Sequence, residues 1–324
     1  MSDSFWSGNS LVPSWTSMIY HAWSGHPPKI LETMHVQKRA RLPPGCIMKP
    51  LEQADVPAVV EFWGRYFSIT PSCRCLVPPA HVSKMISQKS WDGIIVLHAS
   101  GEIIGSAVRR VIHNLHVREI TLPKAAAADF YCIHPAWRKK GVGRAILSAF
   151  QNSTPAPTPP VLVLWDKPQI KVPPIITGMF MSRVCQATSN QATQLKDPQA
   201  CKEAWLNCVK GVDVWSPEPG EEISFWVPLG QQRGQKPVII WNTFHRTVPD
   251  GLLIGIVLSR DPEATEALAQ AKSPWGVLLA PVPLHQTISF TQTYKSWKIN
   301  SIFQWIGYNL SVGFISQSFP IVGF

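Results

Sequence analysis

FYCIHPAWRKKGVG, residues 130–143, joins a strand-like apolar run to a proline, a basic patch and two spaced glycines. A strand over Ala127–Ile133 and a helix opening at Gly141 leave Arg138–Gly143 as the loop between them. At such a junction the first helical amides point outward without intrahelical partners, and the helix dipole favours an anion there. Gly141 and Gly143 remove side chains that would block close approach, and Arg138, Lys139 and Lys140 supply positive charge. Taken alone, the loop reads equally as a plain basic turn or as a seat for phosphates, whether of a coenzyme, a nucleotide or RNA.

The surrounding pattern is α/β. Asp55 is placed to cap a helix with Pro57 in its first turn and Val56, Val59, Val60 and Trp63 at helical spacing. Ile94–His98 and Ile103–Val111 read as strands around a Ser-Gly turn. Val142, Ala145, Ile146 and Phe150 carry the helix after the basic loop, and the proline-rich residues 153–160 forbid its continuation. In the second half Glu222–Val227 and Val238–Phe244 read as strands. Asp261, Pro262 and Glu263 open a helix predicted to reach Lys272, followed by a buried strand at Val277–Ala280. Residues 7–45, rich in Pro, Ser and Trp with Lys38, Arg39 and Arg41, read as an irregular arm.

The 324 residues are 45% hydrophobic, enough for a large core, and 30 Lys and Arg against 20 Asp and Glu give a net charge of +10. That excess fits an anionic partner: nucleic acid, a membrane surface or a phosphorylated cofactor. The seven cysteines show no zinc or disulfide-framework spacing, which points to reduced thiols; Cys73 and Cys75 give a weak metal hint. No zinc-finger or RNA-binding aromatic motif is present, so no nucleic-acid partner is expected. The N-terminus does not read as a signal peptide, and apolar runs such as Gly251–Leu258 are too short to span a bilayer; a cytoplasmic, monomeric protein is the expectation.

The Arg-x-x-Gly-x-Gly pattern from Arg138 to Gly143 resembles the pyrophosphate loop of the GCN5-related acyltransferase superfamily. Within it the chain looks most similar to the N-myristoyltransferases. FYCIHPAWRKK resembles that family's Phe-Leu-Cys-Val-His run followed by Leu-Arg and a basic residue. In the same order, SFW with LVP looks like the family's opening Phe-Trp segment, IIGSAVRRVIHNLHV its strand pair, and VPPIITGMFMSR its Pro-rich segment. SFWVPL, WNTFHRTVP, Ala271-Lys272 and FQWIGYN look like landmarks of its second lobe. The resemblance spans most of the chain, though each segment is short.

What it implies is two pseudo-symmetric lobes with mixed β-sheets flanked by helices: an arm over 1–45, an acyl-CoA lobe over 46–185 and a shortened peptide lobe over 186–324. It further implies transfer of myristate from myristoyl-CoA, a co-substrate rather than a prosthetic group, to an N-terminal glycine. The amine attacks the thioester directly, the amides of Phe130 and Tyr131 hold the oxyanion, and the carboxylate of Phe324 accepts the proton. Ser4, Phe5, Trp6, Cys132 and Ile133 would touch the acyl-CoA, with Arg138, Lys139, Lys140, Gly141, Val142 and Gly143 on its pyrophosphate. Asp166, Phe180, His245, Tyr308 and Asn309 would face the peptide.

Three departures limit the transfer. After Arg65-Tyr66-Phe67 the family carries an acidic loop, where this chain reads SITPSCRC; the family's Gly-Asp-Gly turn is Ile299-Asn300-Ser301; and little between Arg183 and Glu222 aligns. Loss of acidic surface weakens attraction for basic peptides. Another CoA-dependent N-acyltransferase and a noncatalytic acyl-CoA or lipid binder therefore stay open.

Overall fold

The computed structural model describes residues 29–30, 40–67, 76–152, 161–166, 176–186, 190–219, 222–228, 236–247, 252–259, 261–308 and 310–311. Part of the arm expected to be irregular is a strand: β1 (Lys29–Ile30) pairs antiparallel with β15 (Leu310–Ser311). Cys73 and Cys75 lie outside the described residues. Among those described, no group of three or more His, Cys, Asp or Glu could hold a metal ion.

In the first half β2 (Cys46–Pro50), β3 (Trp91–His98), β4 (Ile103–Val117) and β5 (Ile120–Ile133) pair antiparallel in sequence order. The Ser-Gly turn between β3 and β4 forms as expected, with Gly101 at φ +85°, where a side chain would be strained. β4 and β5 run well past the predicted Val111 and Ala127. Leu115, Val117 and Leu122 are buried against residues of the second half, a long-range burial that local periodicity cannot reveal.

Two helices, α1 (Val56–Tyr66) and α2 (Pro79–Ser87), cover one face of these strands and α3 (Val142–Asn152) covers the other. α1 inserts Val59 and Trp63, both fully buried, and Trp63 Nε1 donates to Ser106 Oγ of β4 at 2.8 Å. Asp55 does not cap α1 through its side chain; its carboxylate instead accepts from the Glu52 amide (3.0 Å) and Lys49 Nζ (2.7 Å), closing the turn before the helix. α3 buries Val142 and Ile146 against Ile94, Val96 and Ile104.

β6 (Val161–Asp166) then runs parallel to β5. The second half adds β7 (Ile176–Val184), β8 (Ala192–Leu195), α4 (Pro198–Val209), β9 (Val214–Trp215), β10 (Ile223–Pro228), β11 (Val238–Thr247) and β12 (Leu253–Val257). It ends with α5 (Pro262–Ala269), β13 (Trp275–Pro283), α6 (Thr287–Thr293) and β14 (Lys298–Tyr308). The stretch between Arg183 and Glu222, of which little aligned, holds β8, α4 and β9. α5 has the expected cap, Asp261 Oδ1 accepting from the Ala264 amide at 3.0 Å. It stops short of the predicted Lys272, whose amide donates to the Asn190 carbonyl at 2.8 Å instead.

All strands but β1 and β15 belong to one 13-stranded sheet, ordered β2-β3-β4-β5-β6-β14-β7-β13-β12-β11-β10-β8, with β9 against β4. The architecture repeats. An antiparallel run closes in a parallel pair with a helix between its strands, as β5-α3-β6 and again as β12-α5-β13. The halves are joined by β14, which pairs with β6 on one side and with β7 on the other, and β7 in turn pairs with β13. This is the mixed α/β, two-lobed arrangement expected from the sequence.

The tip of the β4–β5 hairpin reaches across the seam. The Arg118 amide donates to the Asp213 carbonyl, and His116 stacks on Trp215 at 4.0 Å. Ile112, Leu115, Val117 and Leu122 share one buried cluster with Trp205, Val212, Val214, Phe225 and Ile239. Among the described residues, no helix is long and apolar enough to cross a membrane.

Candidate active site

The parallel pair β5–β6 is joined only over Ala126–Ala128 and Val161–Val163. Beyond that, β5 continues along β4 to Ile133 while β6 continues along β14 to Asp166, so the sheet opens between them. Open crossover strands of this kind place their ligands at the diverging carboxyl ends.

β5 bulges at this mouth. Cys132 pairs with Ser106 and Asp129 with Val108, so Phe130 and Tyr131 stand opposite the single residue Ala107. Phe130 is held at φ +49°, a costly backbone conformation for an aromatic residue. Its surroundings explain how it persists. The fully buried ring stacks on Trp63 at 4.1 Å and lies near Phe67 and Trp91, while its carbonyl accepts from Ser106 Oγ at 3.2 Å.

The Phe130 amide, expected to be an oxyanion donor, already donates to Asp129 Oδ1 at 2.6 Å. Asp129 in turn pairs with Arg110, which is buried between Asp129 and Glu222 and lies 4.8 Å from the Trp91 ring centre. Burial by itself would lower the Arg110 pKa, but the two carboxylates outweigh it and hold the guanidinium above its ordinary range. Glu222 also accepts from Trp241 Nε1 (3.0 Å) and faces His81 Nε2 at 3.3 Å, so this chain of charges joins the two halves behind the bulge.

Cys132 is buried, and that burial pushes its thiol up to about 12, against a small opposing pull from Arg138. It is a protonated core side chain at neutral pH, not a nucleophile.

The loop after β5 is built for close approach. His134 Nδ1 accepts from the Ala136 amide at 3.2 Å, and Arg138 Nε donates back to the Ile133 carbonyl at 3.2 Å. Lys139 and Gly141 both take positive φ, +63° and +90°. Arg138, Lys139 and Lys140 are exposed, with Lys140 Nζ 4.9 Å from the Trp137 ring. The first helical bond of α3 runs from the Ala145 amide to the Gly141 carbonyl, so the amides of residues 142–144 precede it, and no acidic residue occupies the first turn.

Gly143 has a packing reason besides the one its spacing suggests. A β-carbon there would stand 2.0 Å from Tyr131 Oη, so its absence lets α3 pack on the bulge. The related crossover of the second half lacks these features: α5 carries its own carboxylates, the capping Asp261 and Glu263 in the first turn. Among the described residues, the first turn of α3 has no such carboxylate.

The other sequence candidates are dispersed. Asp166 ends β6 at the mouth, opposite Phe303. Tyr308 lies at the closed end of the same pairing, opposite Val161, about 16 Å away along the strand. Phe180 is buried on β7 in the core shared by both halves. His245 lies on β11 within the register shift between Asn242 and Thr247. Ser4, Phe5, Trp6, Asn309 and Phe324 lie outside the described residues. A cavity of about 680 Å³ between α3 and β2–β4, walled by Leu42, Met48, Ile94 and Phe150, does not include the bulge. Its buried Arg109 is paired with Asp92 at 2.7–2.8 Å.

Superposed on solved structures, the chain matches N-myristoyltransferase of Saccharomyces cerevisiae with bound myristoyl-CoA at a TM-score of 0.69 and 13% identity. That match covers 100% of this chain and 95% of the yeast chain. A second structure of the yeast enzyme with myristoyl-CoA gives 0.67 at 13% identity over 99% and 89% of the two chains. The chain has the N-myristoyltransferase fold. A third, with myristoyl-CoA and inhibitors, matches at 0.63 over 92% and 88%. The sequence matches no protein-family profile and no curated protein, so the likeness is carried by three-dimensional arrangement.

Sequence reasoning missed Asp129, Arg110 and Glu222. The signal was a charge set inside the apolar strand AAAADFYCI, directly before the quoted stretch. Buried charges are paired, so Asp129 called for a cation nearby.

Proposed function

We propose that the chain is an acyl-CoA-dependent N-acyltransferase that moves myristate from myristoyl-CoA to the amine of an N-terminal glycine. The observation that carries this reading is one continuous stretch of chain in which a strand bulge at an opened parallel pair leads into a cationic loop at a helix N-terminus. In that order the amide donors would lie beside the thioester and the pyrophosphate would lie beyond them. Full-length likeness to an enzyme holding myristoyl-CoA supports it.

In this reading Arg138, Lys139, Lys140 and the α3 amides hold the pyrophosphate, and the strained bulge at Phe130–Tyr131 receives the oxyanion. The Phe324 carboxylate takes a proton from the acceptor ammonium. Cys132 contributes backbone only, consistent with its buried, protonated thiol. The peptide crosses both halves, toward Asp166 and His245.

Labelled myristoyl-CoA and acetyl-CoA, each offered with a library of glycine-starting peptides, test this. Transfer of myristate to a subset of peptides is expected, and extending the chain beyond Phe324 should abolish it. Preference for acetyl-CoA would make it a different CoA-dependent N-acyltransferase. A noncatalytic acyl-CoA binder is favoured by one observation, the Phe130 amide already engaged by Asp129; tight myristoyl-CoA binding without transfer would establish that reading instead.

A further inference from the structure

Asp129 stands one hydrogen bond from the atom that the reaction needs. Its Oδ1 accepts from the Phe130 amide while its Oδ2 is held by Arg110, and the side chain keeps 19% of its surface exposed. Two protons must leave the acceptor nitrogen as an ammonium becomes an amide, and the departing thiolate must gain one. A single carboxylate on the C-terminal residue accounts only for the first.

We propose that Asp129 shuttles the second proton, from the nitrogen of the tetrahedral adduct to the sulfur of the leaving CoA. The inference rests on the acyl-transfer reading above. The thioester oxygen takes the Phe130 amide as it becomes an oxyanion, and that exchange frees Asp129 Oδ1 beside the same carbon. The nitrogen–carbon bond has then formed and the nitrogen carries a positive charge and one proton too many. Oδ1 accepts that proton. The carbon–sulfur bond breaks with its electron pair on sulfur, the oxyanion collapses to the amide carbonyl, and the carboxylic acid passes its proton to the thiolate. Products are the N-acyl peptide and CoA thiol, and Asp129 is again a carboxylate. Arg110, fixed on Oδ2 and on Glu222, keeps the carboxylate in place during the exchange and offsets its charge beside the oxyanion.

The test is Asp129→Asn in the full chain. Asparagine preserves shape but has a single acceptor oxygen, so it keeps either the Phe130 amide or Arg110 and not both, and it cannot carry the proton. We expect kcat to fall about a hundredfold or more, with myristoyl-CoA Kd and peptide KM within about threefold of the original, the split that marks loss of an interaction made in the transition state. The melting temperature should fall as one donor loses its acceptor, so kcat is measured well below the unfolding transition. A kcat within twofold of the original overturns the shuttle, as does a loss of kcat accompanied by lost myristoyl-CoA affinity, which assigns Asp129 to packing alone. An original chain that transfers nothing overturns the acyl-transfer reading itself, and the shuttle with it.

Discussion

Replacing Gly143 by alanine puts a methyl group 2.0 Å from Tyr131 Oη and 3.0 Å from its Cζ. The first distance is below what a real β-carbon tolerates, and the obstacle is the end of a rigid ring, so α3 must lift or the ring must turn. Overpacking of this kind costs about 1–3 kcal/mol. Tyr131→Phe removes the oxygen and with it the worse of the two contacts, leaving the 3.0 Å approach, which asks for a shift of only tenths of an ångström. Urea denaturation of the four proteins in a double-mutant cycle separates the two effects. Gly143→Ala should be about 1 kcal/mol or more costlier with tyrosine than with phenylalanine, beyond the ~0.5 kcal/mol expected of independent sites. Myristoyl-CoA affinity measured on the same four proteins separates packing from phosphate approach. Strict additivity in stability, with affinity lost equally in both backgrounds, would refute the packing argument and return Gly143 to the phosphate.

Arg110→Met removes the cation between Asp129 and Glu222, leaving two carboxylates without their partner; stability should fall by about 3–5 kcal/mol in thermal or urea unfolding. Because Glu222 belongs to the second half, one cooperative transition should weaken as a whole rather than split in two. The double variant Arg138→Glu/Lys140→Glu reverses charge on exposed side chains, so folding should change by less than about 0.5 kcal/mol. Myristoyl-CoA affinity should nevertheless drop roughly tenfold or more and become less dependent on salt, measurable by calorimetry at two ionic strengths.

What the sequence disclosed depended on how local the cause was. The Ser-Gly turn, the Asp261 cap and the apolar face of α3 are set by neighbours within four residues, and each forms as read. Phe130 and Tyr131, whose amides the resemblance assigned to the oxyanion, form a bulge, but the state of those donors was not legible. The acceptor on the Phe130 amide is the preceding side chain, and what fixes that side chain is Arg110 on another strand and Glu222 in the other half. Gly143 shows the same limit. Its place in a Gly-x-Gly loop was plain, yet the group needing the space, the Tyr131 hydroxyl, is known only once β5 and α3 pack. Asp55 was read as a helix cap because residue type and position both suited it, but Lys49 and the Glu52 amide compete for the same carboxylate and win.

The long β4–β5 hairpin makes the two halves poor candidates for separate existence. Leu115, Val117 and Leu122 each contribute about 1.5–3 kcal/mol by burial, together comparable to the net stability of an ordinary domain, and their partners lie on α4, β9 and β10. A fragment ending near residue 185 would carry this apolar prong into water, and the complementary fragment would be left with an open socket around Trp205. Internal duplication is still visible in the repeated crossovers, but the copies have become interlocked. A chain cut at that seam should recover its shape only when both pieces are refolded together, which gives a route to a split reporter that assembles through its own core.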